Sequence, residues 1–318
     1  MVDTERIVIT GAGGHVGGRL LKHFCTATHH RVRPHFRTAP SMPPWASNCD
    51  PALGDLGDAT TRRAVVCNAD IVVHLATRGY SSLRPPSTDE LEAENAITTA
   101  LVQDSITAGV SQFILISSIH VFGDALVGDV TELTLPAPSS DYGRSRLRLE
   151  ENVHDLSSTS TMNSLVLRMT NTFGAPVFPQ NATWNLLIHD LCRQAVTSDR
   201  LVLNTNGLGY RNVLPLHDAT NAIAQISAGA LPSGTYLLAG PKTYQIREIA
   251  SLVKTRAELI LQKPIALVFE HSDMTAHRYF TAHSTSLGIY GVTIGDSLIN
   301  ELDELIRTAD TQFCRAST

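Results

Sequence analysis

The sequence predicts an α/β fold, a doubly wound parallel sheet with a smaller C-terminal α/β lobe. Three observations point there. The β-branched run Ile7-Val8-Ile9-Thr10 breaks into glycines and then enters the amphipathic stretch Arg19–Phe24. The first half alternates short apolar runs with helical stretches, and those runs lack the polar–apolar alternation of a strand with one wet face. Beyond about residue 172 the pattern loosens around Pro176, Pro179 and Gly207-Leu208-Gly209, with no linker composition between the halves.

In order along the chain, strands are expected at Arg6–Thr10, Arg31–Phe36, Ile71–Ala76 and Gln112–Ser117. Helices fall between them at His15–Cys25, Thr60–Cys67 and Glu90–Ala108. The Arg/Leu/Glu-rich stretch Tyr142–Leu156 reads as a helix capped by Asp141, and Asn163–Met169 as a further strand. In the second half, strands at Leu201–Asn204, Gly234–Ala239 and Ile265–Phe269 alternate with helices. Those helices fall near Trp184–Ala195, Asp218–Ser227, Ile246–Ala257 and Asp296–Ala309. This divides the chain into a dinucleotide-binding unit, residues 1–172, and a substrate-binding lobe, residues 173–318, interleaved rather than tethered.

Composition narrows the function. A chain of 318 residues with 43% hydrophobic and 17% charged residues has ample core. Its net charge of −5 and scattered Lys and Arg argue against nucleic acid. No apolar run approaches the roughly eighteen residues of a membrane span. Acidic residues precede the first short apolar strand, which is unlike a secretory leader. The cysteines Cys25, Cys49, Cys67, Cys192 and Cys314 are odd in number and without a Cys-x-x-Cys pair. They suggest neither a disulfide framework nor a zinc site. Thirteen histidines lack metal-ligand spacing, so no metal is expected. The chain reads as cytoplasmic.

Gly11, Gly14 and Gly17 stand three apart, directly after a strand and before a helix. That is the context in which glycines admit a diphosphate to a helix N-terminus, as in a Rossmann-type dinucleotide site. A plain strand-to-helix turn is the alternative. Arg37 ends the second strand about twenty residues later, where a cation would meet a ribose 2′-phosphate and an acid the 2′-hydroxyl. No Asp or Glu lies beside it, which favours NADP, with NAD still open; a solvated strand-end Arg is the bland reading. Asp55 could accept from an adenine amino group. The strand Phe113–Ile116 ends in Ser117-Ser118, and Tyr142 and Arg146 follow four apart on one helix face. A strand-end hydroxyl plus a tyrosine beside a cation, which favours the phenolate, makes a carbonyl-reducing site. A chance Tyr–Arg pair on a helix explains the same letters.

Taken together, these segments resemble the extended short-chain dehydrogenase/reductase family, in its NAD-dependent epimerase/dehydratase branch. The turn Thr10–Gly17 is similar to the family's cofactor turn, and Asp55-Leu56 and His74-Leu75-Ala76 to its next two cofactor segments. Ser117-Ser118-Ile119-His120-Val121-Phe122-Gly123 resembles its Ser-Ser-x-x-Val-Tyr-Gly segment. Leu167–Gly174 and Gly209–Val213 resemble two later ones. The resemblance implies catalytic roles for Ser118, Tyr142 and Arg146. It implies cofactor contacts from Gly11, Gly14, His15, Val16, Gly17, Arg37, Asp55, Leu56, Leu75, Ala76, Thr77, Asn95, Ser117, Tyr142, Arg146 and Met169. It implies substrate contacts from Asn171 and Arg211, and a homodimer; His120, two residues past Ser118, faces either solvent or substrate, as an extra acid/base or hydrogen bonder or as a loop filler. The expected activity is NADP(H)-dependent reduction of a keto group on a nucleotide-linked sugar, with Tyr142 giving the proton. An NAD-retaining epimerase is the alternative; a dehydratase would want an acid pair where Ile119-His120 stand. The departures are Arg146 for the usual Lys, Phe122 for Tyr, Asn212 for Asp and Pro215 for an aromatic or His. The first of these keeps open a non-catalytic cofactor-binding sensor or scaffold.

Overall fold

The computed structural model describes residues 5–77, 86–181, 183–270 and 277–314. The chain opens with β1 (Arg6–Thr10), α1 (His15–Ala27), β2 (Arg31–Phe36), β3 (Ala52–Leu53), α2 (Ala59–Val66) and β4 (Ile71–His74). It continues with α3 (Thr88–Thr107), β5 (Gln112–Ser118), β6 (Gly128–Val130), α4 (Asp141–Ser157) and β7 (Asn163–Met169). The second half contributes β8 (Asn171–Phe173), α5 (Leu187–Thr197), β9 (Arg200–Leu203), β10 (Tyr210–Pro215) and α6 (Leu216–Ala228). It ends with β11 (Gly234–Leu238), β12 (Thr243–Gln245), α7 (Ile246–Leu261), β13 (Ala266–Phe269), β14 (Phe280–Ala282) and α8 (Leu298–Phe313).

Seven strands form one parallel sheet in the order β11-β7-β5-β4-β1-β2-β3. Its inner strands are buried on both faces, which explains their unbroken apolar runs. On one face Leu20, Leu21 and Phe24 of α1 pack with Ala219, Ala222 and Ile223 of α6. On the other, α2, α3 and α4 bring Val65, Leu101, Val102, Leu149 and Val153 onto Val72 and Phe113. The doubly wound class expected from the sequence is the observed one. The order in which successive strands are added reverses between β1 and β4, a switch point that opens a crevice at the carboxyl edge of the sheet.

The remaining strands build a smaller lobe over that edge. β12, β10 and β8 form a three-stranded sheet and β13 pairs with β9. A second apolar cluster lies between α5, α7 and α8. Two elements beyond residue 172 belong to the large unit, since β11 extends its sheet beside β7 and α6 covers its face. A buried ion pair ties the lobe down: Glu301 of α8 takes both guanidinium nitrogens of Arg19 in α1, at 2.7 and 2.9 Å. Glu301 also accepts from Ala175 N and His217 N, and burial raises its pKa despite the arginine. Among the described residues no helix is long and apolar enough to cross a membrane.

Three local expectations are corrected. The strand expected at Ile71–Ala76 ends at His74, because Leu75 N and Ala76 N turn to Thr10 Oγ1 at 3.1 and 3.2 Å. The cap of α4 is Ser140, whose hydroxyl accepts from Gly143 N at 3.1 Å; Asp141 lies inside the first turn and pairs with Arg144. The helix expected near Trp184–Ala195 begins only at Leu187, because Leu186 N closes a turn onto Thr183 O at 3.0 Å; among the free cysteines, Cys25 Sγ and Cys49 Sγ lie 3.0 Å apart.

Candidate active site

The crevice begins at the glycine turn. Gly11 has φ +70, a region that L side chains rarely adopt, and a Cβ there would stand 2.8 Å from Ala76 N. A Cβ on Gly17 would stand 2.1 Å from Gly11 O. Gly14 begins α1, and the helix has no side-chain cap and no acidic residue in its first turn. Its leading N–H groups and the positive end of its dipole are therefore available to an anion, and the turn leaves room for one close to the backbone. These residues fit the diphosphate of a dinucleotide. Val16, Leu75 and Ala76 pack at the rim, Leu56 is buried, and Thr77 is exposed.

Thr10 and His74 lock the two central strands together. Thr10 Oγ1 lies 2.7 Å from His74 Nδ1, and His74 Nε2 lies 2.9 Å from Thr98 Oγ1. Burial, with help from Arg146 and His35, pushes His74 down to about 3, so the imidazole is neutral. His15 behaves differently from a plain cofactor contact. Its backbone starts α1, while its ring stands edge-on to His189 of α5 at 4.7 Å. Burial, then His189 and Arg19, hold the His15 pKa well below the usual histidine value.

Beyond the end of β2, Arg37 and Asp55 are both mostly exposed and their charged ends approach to 4.0 Å. Asp55 also accepts from Gly57 N at 2.7 Å. His35 carries its Nε2 to Gly54 O at 2.9 Å and fixes the loop that holds Asp55.

The other end is assembled around α4. Ser117 donates to Glu150, and Arg168 of β7 reaches the same carboxylate at 2.7 and 3.0 Å. All three side chains are buried, so α4 is fastened to β5 and β7 by charge. This gives Ser117 a positioning role. The Arg168 guanidinium also lies 4.9 Å from the centroid of Phe122, the residue that stands where the resemblance led one to expect Tyr. Ser118, one residue on, is half-buried and accepts from His120 N at 3.3 Å.

The first turn of α4 packs on the short 3₁₀ turn Ile119–Phe122, where a Cβ on Gly143 would come within 2.5 Å of His120 O. That close approach sets Tyr142 beside His120, with ring centroids 6.0 Å apart. The Arg146 guanidinium lies 5.1 Å from the Tyr142 ring centroid. It also donates to Glu94 of α3, and both members of that pair are buried. Glu94 was not anticipated. The signal was present: it falls on the stripe Leu91, Glu94, Thr98, Leu101 of α3, where a buried carboxylate requires a partner. Its neighbour Asn95 accepts from Ser145 of α4 at 3.2 Å.

The substrate-side residues are more dispersed. Met169 is buried at the end of β7. Asn171 donates to Asn212 O at 3.0 Å, and Arg211 is exposed and donates to Tyr210 O at 2.8 Å. Asn212 explains one departure. Its amide donates to Gly240 O at 2.9 Å and accepts from Gly240 N at 2.8 Å, a double role that a carboxylate cannot fill. Of residues 78–90, expected to line part of the cleft, 78–85 lie outside the described residues.

Comparison with known proteins agrees with this architecture. The profile of the NAD dependent epimerase/dehydratase family matches residues 7–238. A UDP-glucose 4-epimerase of Vibrio cholerae is 31% identical over 182 residues, 54% of this chain and 53% of that protein. A 2′-dehydrokanamycin reductase of Streptomyces kanamyceticus is 27% identical over 230 residues, 71% of this chain and 59% of that protein. The matches thus span little more than half the length of these two relatives. Among solved structures, a UDP-N-acetylglucosamine 4-epimerase from Methanobrevibacter ruminantium M1, in complex with UDP-N-acetylmuramic acid, superposes with a TM-score of 0.83. It is 17% identical, with 98% of this chain and 99% of that one covered, and it bears on the fold alone.

Proposed function

The chain belongs to the NAD dependent epimerase/dehydratase family, and on that premise we propose that it is a nicotinamide-dependent oxidoreductase reducing a keto group on a nucleotide-linked sugar. The observation that carries this reading is the placement of Tyr142 on α4. Its ring borders His120, two residues past the end of β5, and it lies over the Arg146 guanidinium. Gly11, Gly14, Val16 and Gly17 would hold the diphosphate, with the His15 backbone beside them. Leu56, Leu75, Ala76, Thr77, Asn95, Ser117 and Met169 would border the rest of the dinucleotide. When bound, that dinucleotide supplies a hydride at its nicotinamide.

Tyr142 gives a proton to the substrate oxygen, and Ser118 holds the same oxygen by a hydrogen bond. Arg146 holds its guanidinium against the phenol ring and orients it. Arg37, exposed at the end of β2, supports NADP(H) over NAD, and Asp55 receives the adenine amino group. His120, Asn171 and Arg211 face the substrate. We place the enzyme in the cytoplasm as a homodimer.

The test is incubation with dTDP-4-keto-6-deoxyglucose, and separately with UDP-glucose, with and without NADPH. Consumption of NADPH with the keto sugar supports the reductase. Conversion of UDP-glucose with no net use of dinucleotide rejects it in favour of a cofactor-retaining epimerase.

The Glu94–Arg146 pair favours a second reading, a dinucleotide-binding sensor whose helix cation serves the core. Arg146→Lys separates the two. A gain in turnover of about tenfold marks a compromised catalytic site, because Lys returns a compact charge to the tyrosine. Turnover that stays near zero supports the sensor.

A further inference from the structure

We propose that His120, oriented by Asp124, returns to Tyr142 the proton that the phenol gives up in each turnover. This rests on the reading of Tyr142 as proton donor. A phenol that protonates a substrate must be reprotonated before it can act again. Among the described residues, two charged or titratable side chains border the Tyr142 ring, Arg146 and His120. Arg146 stays protonated at any working pH, and it is buried against a buried carboxylate. It cannot hand over a proton and take another from water. His120 can: a histidine gains and loses its proton in the neutral range.

The surroundings of His120 suit a shuttle. Its side chain is 48% exposed, so it stands between the phenol and solvent. Asp124 lies behind it, with Oδ1 3.7 Å from Nδ1, and accepts a hydrogen bond from Ser139 through its other oxygen. The backbone of His120 is fixed by the Ser118 hydroxyl. Arg211 of β10 and Tyr142 of α4 are the other charged or titratable groups that face it. Partial burial and Arg211 lower its pKa while Asp124 raises it, and the balance is a value below the usual one. That leaves neutral imidazole as the resting form, ready to collect a proton.

The proton count closes. The carbonyl carbon accepts a hydride from a dihydronicotinamide, the C=O π pair moves onto oxygen, and that oxygen takes the Tyr142 proton. The phenolate takes a proton from the His120 imidazolium, directly or through one water. Neutral His120 takes its proton from solvent while Asp124 holds the Nδ1–H. The sum is ketone plus dihydronicotinamide plus one solvent proton, giving alcohol plus oxidised nicotinamide. His120 is then a second proton-transfer residue, and Asp124 a positioning residue.

The first experiment needs no turnover. In the full chain with ¹³Cζ-labelled tyrosine, the Tyr142 resonance should shift at two pH values, its own ionisation and that of His120. His120→Gln should abolish the second inflection, and Asp124→Asn should move it to lower pH by about half a unit. A Tyr142 curve that is identical in wild type and His120→Gln overturns the proposal. The second uses dTDP-4-keto-6-deoxyglucose and NADPH. His120→Ala should lower kcat about tenfold, and added imidazole should restore it. An unchanged kcat, or a loss that imidazole does not repair, also overturns it. A wild-type protein inert toward keto sugars sinks the reductase reading instead, and the resonance experiment then decides the coupling on its own.

Discussion

At the glycine-turn end of the crevice, fit is decided by backbone atoms. Gly17 faces Gly11 O and Gly11 faces Ala76 N, both inside the distance that any Cβ would require. At the Tyr142 end, fit is decided by charged side chains that come from distant parts of the chain. Glu94 meets Arg146, and Glu150 gathers Ser117 and Arg168. The contrast teaches which kinds of change each end tolerates. A backbone cradle fails when anything is added to it. A charge network fails when one partner is taken away, because the other is left buried and unpaired.

The largest effect should come from adding one methyl group at the cradle. Gly17→Ala places Cβ against a carbonyl that has no side-chain freedom to yield, so α1 must shift away from its own turn. NADPH binding, followed by quenching of protein fluorescence, should weaken by about a hundredfold or more. Near-normal affinity would mean that the cradle is softer than its distances imply. Next comes removal of a charge at the other end. Glu94→Gln should cost about 3 kcal/mol in urea unfolding, and Glu94→Leu combined with Arg146→Met should recover most of it. If the double variant stays as unstable as the single one, the pair is not the unit described here.

Between the ends sits His74, whose effect depends on pH. Folded, it holds no proton until about pH 3; unfolded, it titrates at about 6.5. Its contribution is therefore complete above about pH 6.5 and declines as the pH falls toward 3, by about 1.4 kcal/mol per unit within that window. His189, pushed down to about 4 by burial, acts with the same sign. His74→Asn should flatten the pH dependence of stability by about one proton, measured as urea midpoints from pH 4 to 7. An unaltered slope would remove His74 from this account. The smallest effect should follow oxidation near the C-terminus of α1, away from the glycine turn. Diamide should join Cys25 to Cys49, seen as the loss of two hydrogens in the peptide map. A brace at the far end of that helix should change NADPH affinity by less than about twofold.

The same contrast governs what could be read from the letters alone. β1, β2 and β7 span the residues expected, and the glycine turn was legible because local sterics demand small residues in sequence order. The short strands β8, β10 and β12 were missed because they are stabilised by pairing with one another, not by a local pattern. Tyr142 and Arg146 were found by their spacing of four. Their further partners, Glu94 at 52 residues from Arg146 and Asp124 behind His120, depend on how α3 packs on α4 and how the loop after β5 folds back. Glu94 and Arg146 each sit on the buried stripe of a helix, so each advertises an absent counter-charge, but nothing in either helix says that the other supplies it.

The pair between Arg19 and Glu301 bridges 282 positions. A ribosome making this protein releases the first helix long before the eighth. Until that last helix arrives, the guanidinium lacks its carboxylate and is left with the carbonyl of Ala175. The crevice is therefore among the final parts to mature, and a nascent chain stalled short of Glu301 should fail to retain a dinucleotide however complete its parallel sheet.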